Sequence, residues 1–331
     1  MKTQNIDILN IGLVVLSLLL AIYLPFKLFL FSYAVLGPLH YLTEINWLND
    51  KQYFIKDKKK WIWVLIASSI VISINPIIGF FEFELSKPTS KLLALIHKYS
   101  NHGLFVSFIL SISLILLKKK KQILTGFIIA LIATLFIGEE IPNSMLFIGM
   151  FIPTLFHVFL FTLLFILYGA IKAKSKPGYF LSATLLITPA IILSLDIPND
   201  TYKLTHDTFQ TFVKSGMINV VAKIAEYLNI IDNGNLNLIS GAVIKVQIFI
   251  AFAYTYHYLN WFSKTSIIGW KKALNVKSTA IIISLWVASV ALYFYDYRVG
   301  FTALFFLSFL HVLLEFPLNV LSIKGIIKKG K

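Results

Sequence analysis

Long apolar runs alternate with short lysine-rich segments along the whole chain. A helix needs about 20 apolar residues to cross a bilayer. We count ten such runs and predict an all-α, polytopic integral membrane helix bundle. The predicted spans are residues 8–25, 27–48, 61–82, 103–117, 123–138, 144–171, 178–196, 237–262, 279–295 and 300–322.

Basic residues favour one side of this predicted membrane. With the N-terminus inside, the inner segments hold about three times as many basic residues as the outer segments. The bias recurs from loop to loop along the chain. We therefore predict ten spans with both termini in the cytoplasm.

Two predicted outer segments are long enough to have structure of their own. Residues 86–101 and 201–231 mix apolar residues with lysines at helical spacing, which is typical of amphipathic helices on a membrane surface. We expect them to cover the bundle, and a gating or substrate-entry role is the alternative. The whole chain, 1–331, is predicted to be a single transmembrane domain.

Composition narrows the possible chemistry. Of the 331 residues, 58% are hydrophobic, and the net charge of +15 comes from loop lysines, so it does not indicate a nucleic-acid partner. The chain has no cysteine, which leaves imidazole and carboxylate as the available metal ligands. Arg298 is the only arginine, which together with the richness in isoleucine and asparagine indicates an AT-rich prokaryotic genome. We therefore expect a multi-pass protein of the prokaryotic cytoplasmic membrane.

Four of the seven histidines fall inside predicted spans. They are His40, His157, His257 and His311. All four of these spans run from outside to inside, and a rise of about 1.5 Å per residue places the four side chains in the inner half of the bilayer. We expect the four imidazoles to meet at one spot there.

Two glutamates accompany these histidines, and they are the only acids that this span assignment places within the hydrocarbon. Glu44 lies four residues after His40, and Glu315 lies four residues after His311, so each pair shares one helix face. Ionisable groups are costly in hydrocarbon, so six of them at similar depth indicate a shared divalent metal. We predict histidine ligation, with Glu44 and Glu315 as candidate catalytic residues that either orient the rings or bind the metal directly. The alternative is that each histidine only hydrogen-bonds a neighbouring helix.

The sequence around these residues resembles one known family, the Brp/Blh-type bacterial and archaeal carotene oxygenases. The motifs that carry the resemblance are, in chain order, Gly-Pro-Leu-His40-x-x-x-Glu44, Phe-His157-Val, Tyr-His257-Tyr and Leu-His311-x-x-x-Glu315-Phe. The resemblance implies that intramembrane histidines hold ferrous iron (Fe2+) and that dioxygen cleaves a carotenoid. Trp261 stands where the family's third motif has a second histidine, and both glutamates stand where the family has aspartate.

We therefore expect a membrane-embedded, non-haem iron oxygenase that takes a long apolar substrate such as a carotenoid from the surrounding lipid. Aromatic side chains near the histidines are expected to line the tunnel for this substrate. They are Tyr41, Phe156, Phe159, Tyr256, Tyr258 and Trp261. Ordinary packing is the alternative explanation, because 15% of the chain is aromatic.

Three other functions are consistent with the same residues. Two histidine pairs are the usual way to hold haem b for electron transfer in a membrane. Buried histidine and glutamate side chains, joined by Lys245, would suit a transporter or a proton-coupled permease. A purely structural membrane subunit is the third alternative, and it would leave the buried glutamates unexplained.

Overall fold

The computed structural model describes residues 3–81, 86–100, 102–140, 152–199, 201–231 and 236–329. Helices account for most of these residues, and the described ranges contain no β-strand. The all-α class predicted from the apolar runs is confirmed.

The described helices begin at residue 3 and continue to residue 329. In chain order the α-helices are α1 (Thr3–Tyr23), α2 (Pro25–Phe31), α3 (Gly37–Asp50), α4 (Ile62–Phe81), α5 (Lys87–Ser100), α6 (His102–Leu116), α7 (Lys120–Glu140), α8 (Thr162–Ala173), α9 (Lys176–Ser194), α10 (His206–Lys214), α11 (Met217–Tyr227), α12 (Gly241–Ser263), α13 (Thr265–Ile268), α14 (Val276–Tyr295) and α15 (Tyr297–Lys329). The π-helical segment Ser32–Leu36 joins α2 to α3, and π-helical Ile152–Phe161 leads into α8. Short 3-10 helices lie at Gln52–Phe54, Lys56–Trp61 and Trp270–Ala273.

Within the described part of the chain, 7 helical segments are long and apolar enough to cross a bilayer. They are Thr3–Tyr23, Pro25–Asp50, Asp57–Phe81, Leu155–Ala173, Lys176–Ser194, Val276–Tyr295 and Tyr297–Lys328. Each overlaps one of the ten predicted spans, and the set is compatible with a multi-pass membrane protein. The count of ten and the cytoplasmic termini stay predictions.

Three predicted spans, 103–117, 123–138 and 237–262, are not among these seven candidates. Helix α6, expected over 103–117, has 15 residues. Its length of about 22 Å is short of the roughly 30 Å hydrocarbon core. The span expected over 123–138 falls on α7, whose side chains are described only as far as residue 134. Residues 144–151 of the sixth predicted span lie outside the described residues.

Contacts divide the chain into two compact units. Unit 1 contains Met1–His40, Val158–Lys271 and Ser284–Phe301. Unit 2 contains Tyr41–His157, Lys272–Ile283 and Thr302–Lys331. The single domain predicted for 1–331 stays a prediction.

Unit 1 is organised around α12, the helix expected over 237–262. Most of its 23 residues are buried, because α1, α2, α9 and α11 pack against it. A helix covered by protein can carry polar groups that find partners on its neighbours. Gln247 is one example, since its Nε2 donates to the carbonyl of Pro25 at 2.9 Å. This polarity explains why α12 is not among the apolar candidate spans of the described residues.

In unit 2, α4 packs against α5 and α6, and α6 packs against α7. Two lysines satisfy carbonyl groups at the C-terminal end of α6. Lys58 Nζ donates to Leu114 O and, at 2.7 Å, to Leu117 O. Lys324 Nζ donates to Ile115 O at 3.3 Å. The last carbonyls of a helix have no partner within the helix, so these ammonium groups stabilise the end of α6.

Helices form in both segments that were predicted to be amphipathic. Helix α5 lies within 86–101, and α10 and α11 lie within 201–231. In α10 and α11, Phe212 and Val221 are buried, whereas Phe209 and Tyr227 are exposed. Their position on the outer membrane surface stays a prediction.

Candidate metal centre

Irregular helical turns accompany two of the predicted ligands. The π-helical segment Ser32–Leu36 ends shortly before His40, and the π-helical segment Ile152–Phe161 contains His157. Pro38 and Pro153 lie at these two places. Proline lacks an N–H, so the helix changes its hydrogen-bond register around it. Such π-helical turns are frequent at functional sites.

The first histidine pair lies within unit 1. His40 Nε2 and His257 Nε2 are 3.0 Å apart, and the two rings meet edge to face. Both side chains are buried. The ring centroids of Tyr258 and Trp261 lie 5.2 Å and 5.4 Å from that of His40. Aromatic rings therefore help to enclose this pair.

Thr162 fixes the tautomer of His257. The Thr162 hydroxyl donates its proton to Val158 O at 2.8 Å, and its Oγ1 lies 2.7 Å from His257 Nδ1. A hydroxyl group has one proton to donate, so Oγ1 must accept from the Nδ1–H of His257. His257 Nε2 therefore keeps its lone pair, which is the state in which a neutral imidazole binds a metal.

The second histidine pair lies within unit 2. His157 Nε2 and His311 Nε2 are 3.2 Å apart, again with the rings edge to face. His157 Nδ1 lies 2.9 Å from Glu315 Oε2, and Asn319 Nδ2 donates to the same oxygen at 3.4 Å. The spacing of four residues suggested that Glu315 orients His311, but this contact joins Glu315 to a histidine of another helix. A carboxylate this close to Nδ1 favours the tautomer in which the Nε2 lone pair faces the partner ring.

Unit 2 also brings the two glutamates together. Glu44 is 1% exposed, and its carboxyl group interacts electrostatically with that of Glu315. Tyr41, on the same helix as Glu44, stacks on His311 with the ring centroids 4.4 Å apart. His157, His311, both glutamates and Tyr41 therefore belong to one buried cluster.

Both histidine separations suit two ligands of one metal ion. Imidazole nitrogens bind zinc at about 2.0–2.1 Å, so neighbouring ligands at that bond length lie about 3.0 Å apart at a right angle and about 3.4 Å apart in a tetrahedral site. The observed 3.0 Å and 3.2 Å fall within this range. A direct hydrogen bond between two neutral rings has a similar length. The metal assignment therefore depends on the groups that direct Nε2 lone pairs inward, Thr162 on His257 and Glu315 on His157.

A haem fits these pairs less well. Two axial histidines on opposite faces of a haem iron have nitrogens about 4 Å apart, with the porphyrin plane between them. The Nε2 atoms of both pairs are closer than this and face each other directly. His40, His157 and His311 each have a ring nitrogen that could serve as a metal ligand.

The aromatic residues predicted to line a tunnel occupy different environments. Tyr41, Tyr258 and Trp261 contact histidine rings, as described above. Tyr256 is buried and stacks parallel to Phe252 at 6.1 Å, whereas Phe156 is 44% exposed. A tunnel lined by these residues stays a prediction.

Asp7 is a buried acid that the sequence prediction did not include. Asp7 lies within the candidate span Thr3–Tyr23 and is 5% exposed. Ser175 Oγ donates to Asp7 Oδ2 at 2.6 Å, and Ser175 Oγ also accepts from the N–H of Gly178 at 3.1 Å. Ser175 is the N-cap of α9, so it satisfies that helix end and a buried carboxylate together.

Two further polar contacts, of Thr162 with His257 and of Asn10 with Ser263, were not predicted from the sequence. Thr162 lies five residues after His157, and nothing in that spacing singles it out from other threonines. Asn10 exchanges hydrogen bonds of 2.9 Å and 3.1 Å with Ser263. Asp7 and Asn10 are three residues apart and share one helix face, which is the signal that would have drawn attention to this side of α1.

The fold and the site define an all-helical protein with seven candidate membrane spans in its described residues and two buried histidine pairs. Comparison with protein-family models, with curated proteins and with solved structures finds no match to this chain. The resemblance to the Brp/Blh-type oxygenases therefore stays a prediction.

Proposed function

We propose that this protein is a membrane-embedded, metal-dependent oxygenase of a long apolar substrate, with His40, His157, His257 and His311 as the metal ligands. One observation carries the proposal. Each unit holds two buried histidines whose Nε2 atoms are separated by the distance expected of two ligands of one metal ion. In each pair, the Nδ1 atom of one histidine contacts a side-chain oxygen, that of Thr162 or that of Glu315.

Ferrous iron is the ion that this proposal names. The chain has no cysteine, so the protein donors that remain for a transition metal are imidazole and carboxylate, which suit iron. Bound iron would supply the reactivity toward dioxygen that organic side chains lack. The resemblance described above favours a carotenoid as the substrate and the prokaryotic cytoplasmic membrane as the location.

In the proposed reaction, the side chains of this protein would bind the metal and orient its ligands, and they would not form or break bonds themselves. In this proposal Thr162 and Glu315 orient the rings of His257 and His157 through their Nδ1 atoms, which is the role of a group behind a metal ligand. Tyr41 limits the rotation of the His311 ring by stacking on it. Burial of the histidines would keep bulk water from the reacting atoms.

Glu44 has a further part in this proposal. Two carboxyl groups that interact within one buried cluster are costly if both are charged, unless a cation lies nearby. A divalent ion on the histidines would offset the charge of both Glu44 and Glu315. The proposal therefore gives these two residues an electrostatic role at the site.

Metal analysis of the purified full chain tests the proposal. We expect iron at one equivalent or more per chain in the wild type and its loss in His157→Ala and His311→Ala. His206→Ala is the matched control, because His206 is exposed at the start of α10 and should retain the metal. Metal-free wild type, or iron that survives both ligand substitutions, would reject the proposal.

Cells that accumulate carotene test the reaction. Expression of the wild type should yield an aldehyde cleavage product such as retinal, and His311→Ala should yield none. Iron-loaded protein that gives no aldehyde in these cells would reject carotenoid cleavage while leaving the metal site in place.

A further inference from the structure

Two adjoining cavities lie within unit 1, away from its histidine pair. The first, of about 220 Å³, is lined by four charged side chains, Asp207, Lys214, Asp296 and Arg298. The second, of about 450 Å³, has a mainly apolar wall. Thr211, Asp296 and Tyr297 line both, so a polar cleft continues into an apolar groove.

The candidate spans beside the cleft predict that it lies at the boundary of the membrane. The candidate spans Val276–Tyr295 and Tyr297–Lys328 are separated by one residue, Asp296, so we expect this turn where both helices would leave the bilayer. Val290, which lines the apolar groove, is six residues before Asp296 and so lies about 9 Å deeper along α14. The connected cavities therefore run from headgroup depth to acyl-chain depth.

The apolar groove is built from candidate membrane spans that carry exposed apolar side chains. Phe31 belongs to the candidate span Pro25–Asp50 and Phe294 to the span of α14, and both are exposed side chains that line the groove. Leu30 lines the same groove, and its carbonyl accepts a hydrogen bond from Tyr297 Oη at 3.2 Å. This contact fastens the start of α15 to the wall of the groove.

The charges of the cleft balance. Two carboxylates and two cations sum to zero at neutral pH, so the lining favours neither an anion nor a cation alone. Arg298 is the only arginine of the chain, and a guanidinium group matches the oxygens of a phosphate with two parallel N–H donors. Asp296 uses Oδ1 to cap α15 through the N–H of Val299 at 3.0 Å, and its second oxygen is suited to another donor.

We propose that the connected cavities bind one phospholipid with a zwitterionic, primary-amine headgroup, of the phosphatidylethanolamine type. Arg298 and Lys214 contact its phosphate, Asp207 and Asp296 accept hydrogen bonds from its ammonium group, and an acyl chain occupies the groove. A choline headgroup has no N–H to donate to the carboxylates, and an anionic headgroup brings a negative charge to them. This site is separate from the proposed oxygenase reaction and does not depend on it.

Native mass spectrometry of the full chain in detergent tests the headgroup. The protein is incubated with an equal mixture of phosphatidylethanolamine, phosphatidylcholine and phosphatidylglycerol that carry the same acyl chains. We expect the ethanolamine lipid to be the main adduct and Arg298→Gln to reduce it by about tenfold. Lys223→Gln is the charge-matched control, because Lys223 is exposed on α11 and lines neither cavity, and it should bind as the wild type does.

Asp207→Asn tests the contact to the ammonium group separately from the contact to the phosphate. Loss of one carboxylate should remove the preference for the ethanolamine lipid over phosphatidylglycerol while lipid binding continues. Equal occupancy by the three lipids in the wild type, or unchanged binding in both Arg298→Gln and Asp207→Asn, would overturn the proposal.

A pair of substitutions on α14 tests the acyl groove. Val290→Trp fills the groove and should lower all lipid adducts, whereas Val287→Trp, one turn earlier on an exposed position outside the lining, should not. Gel filtration of both variants establishes that each remains folded. Equal adducts in two folded variants would contradict the acyl-chain assignment.

Discussion

The two histidine pairs have nearly the same geometry but different supports. In unit 1 the ring of His257 is held by Thr162, a neutral hydroxyl that is itself fixed to a backbone carbonyl. In unit 2 the ring of His157 is held by Glu315, a carboxylate within 2.9 Å. A carboxylate behind an imidazole raises the basicity of the ligand nitrogen, whereas a hydroxyl mainly fixes its tautomer. The unit 2 pair should therefore be the stronger donor set.

The sharpest test of this comparison removes one ring from each pair. Sequence analysis predicts that all four histidines share one ion, so His257→Ala and His311→Ala should each abolish iron binding. Iron per chain, measured on both variants beside the wild type, checks this. If His257→Ala kept full iron while His311→Ala lost it, the pairs would not be equivalent and the four-histidine prediction would fail.

The second test weakens the stronger support. Glu315→Gln keeps the size of the side chain and removes its charge, so iron affinity should fall by about 10–100-fold. Competition with a chelator measures this change. Glu226→Gln is the control, because Glu226 is exposed and pairs with Lys223 on the surface of α11. An affinity equal to that of the wild type would show that the Glu315 contact does not tune a metal ligand.

Parts of this site were predictable because they are local. The four histidines and Glu44 sit in apolar sequence, and the cost of burying such groups in hydrocarbon already indicated a shared role. Contacts between helices were not predictable, because spacing within one helix does not say which neighbour it meets. Glu315 illustrates this, since its spacing suggested His311 and its carboxylate lies on His157.

Span boundaries limited the prediction in a second way. Apolar composition locates a span only to within several residues, and Asp7 fell just outside the first predicted span for that reason. The structure buries Asp7 because Ser175, at the start of a distant helix, supplies a donor for it. Helix α12 shows the reverse case, because the run 237–262 was predicted as a span although protein surrounds most of the helix that forms there.

The third test concerns the weaker support. Thr162→Val removes the acceptor of the His257 Nδ1–H and releases the tautomer, so iron affinity should fall by less than about tenfold, a smaller loss than for Glu315→Gln. Thr162→Ser keeps the hydroxyl and should bind iron as the wild type does. A chelator competition in which the valine variant loses more affinity than Glu315→Gln would reverse the ranking of the two supports.

The smallest expected effect concerns Lys264, a buried lysine of unit 1. Lys264 follows the last residue of α12, outside the candidate spans of the described residues, and is buried. Burial lowers its pKa from 10.5 to about 8, although Asp7 opposes the shift. Between these two pKa values the unfolded chain binds more protons than the folded one, so stability rises with pH. From pH 7 to 9 the gain should be about 1 kcal/mol, or a rise of about 2 °C in Tm. Thermal unfolding in detergent should show this rise of Tm with pH in the wild type and a smaller rise in Lys264→Met. The same dependence of Tm on pH in both proteins would contradict burial of the Lys264 ammonium group.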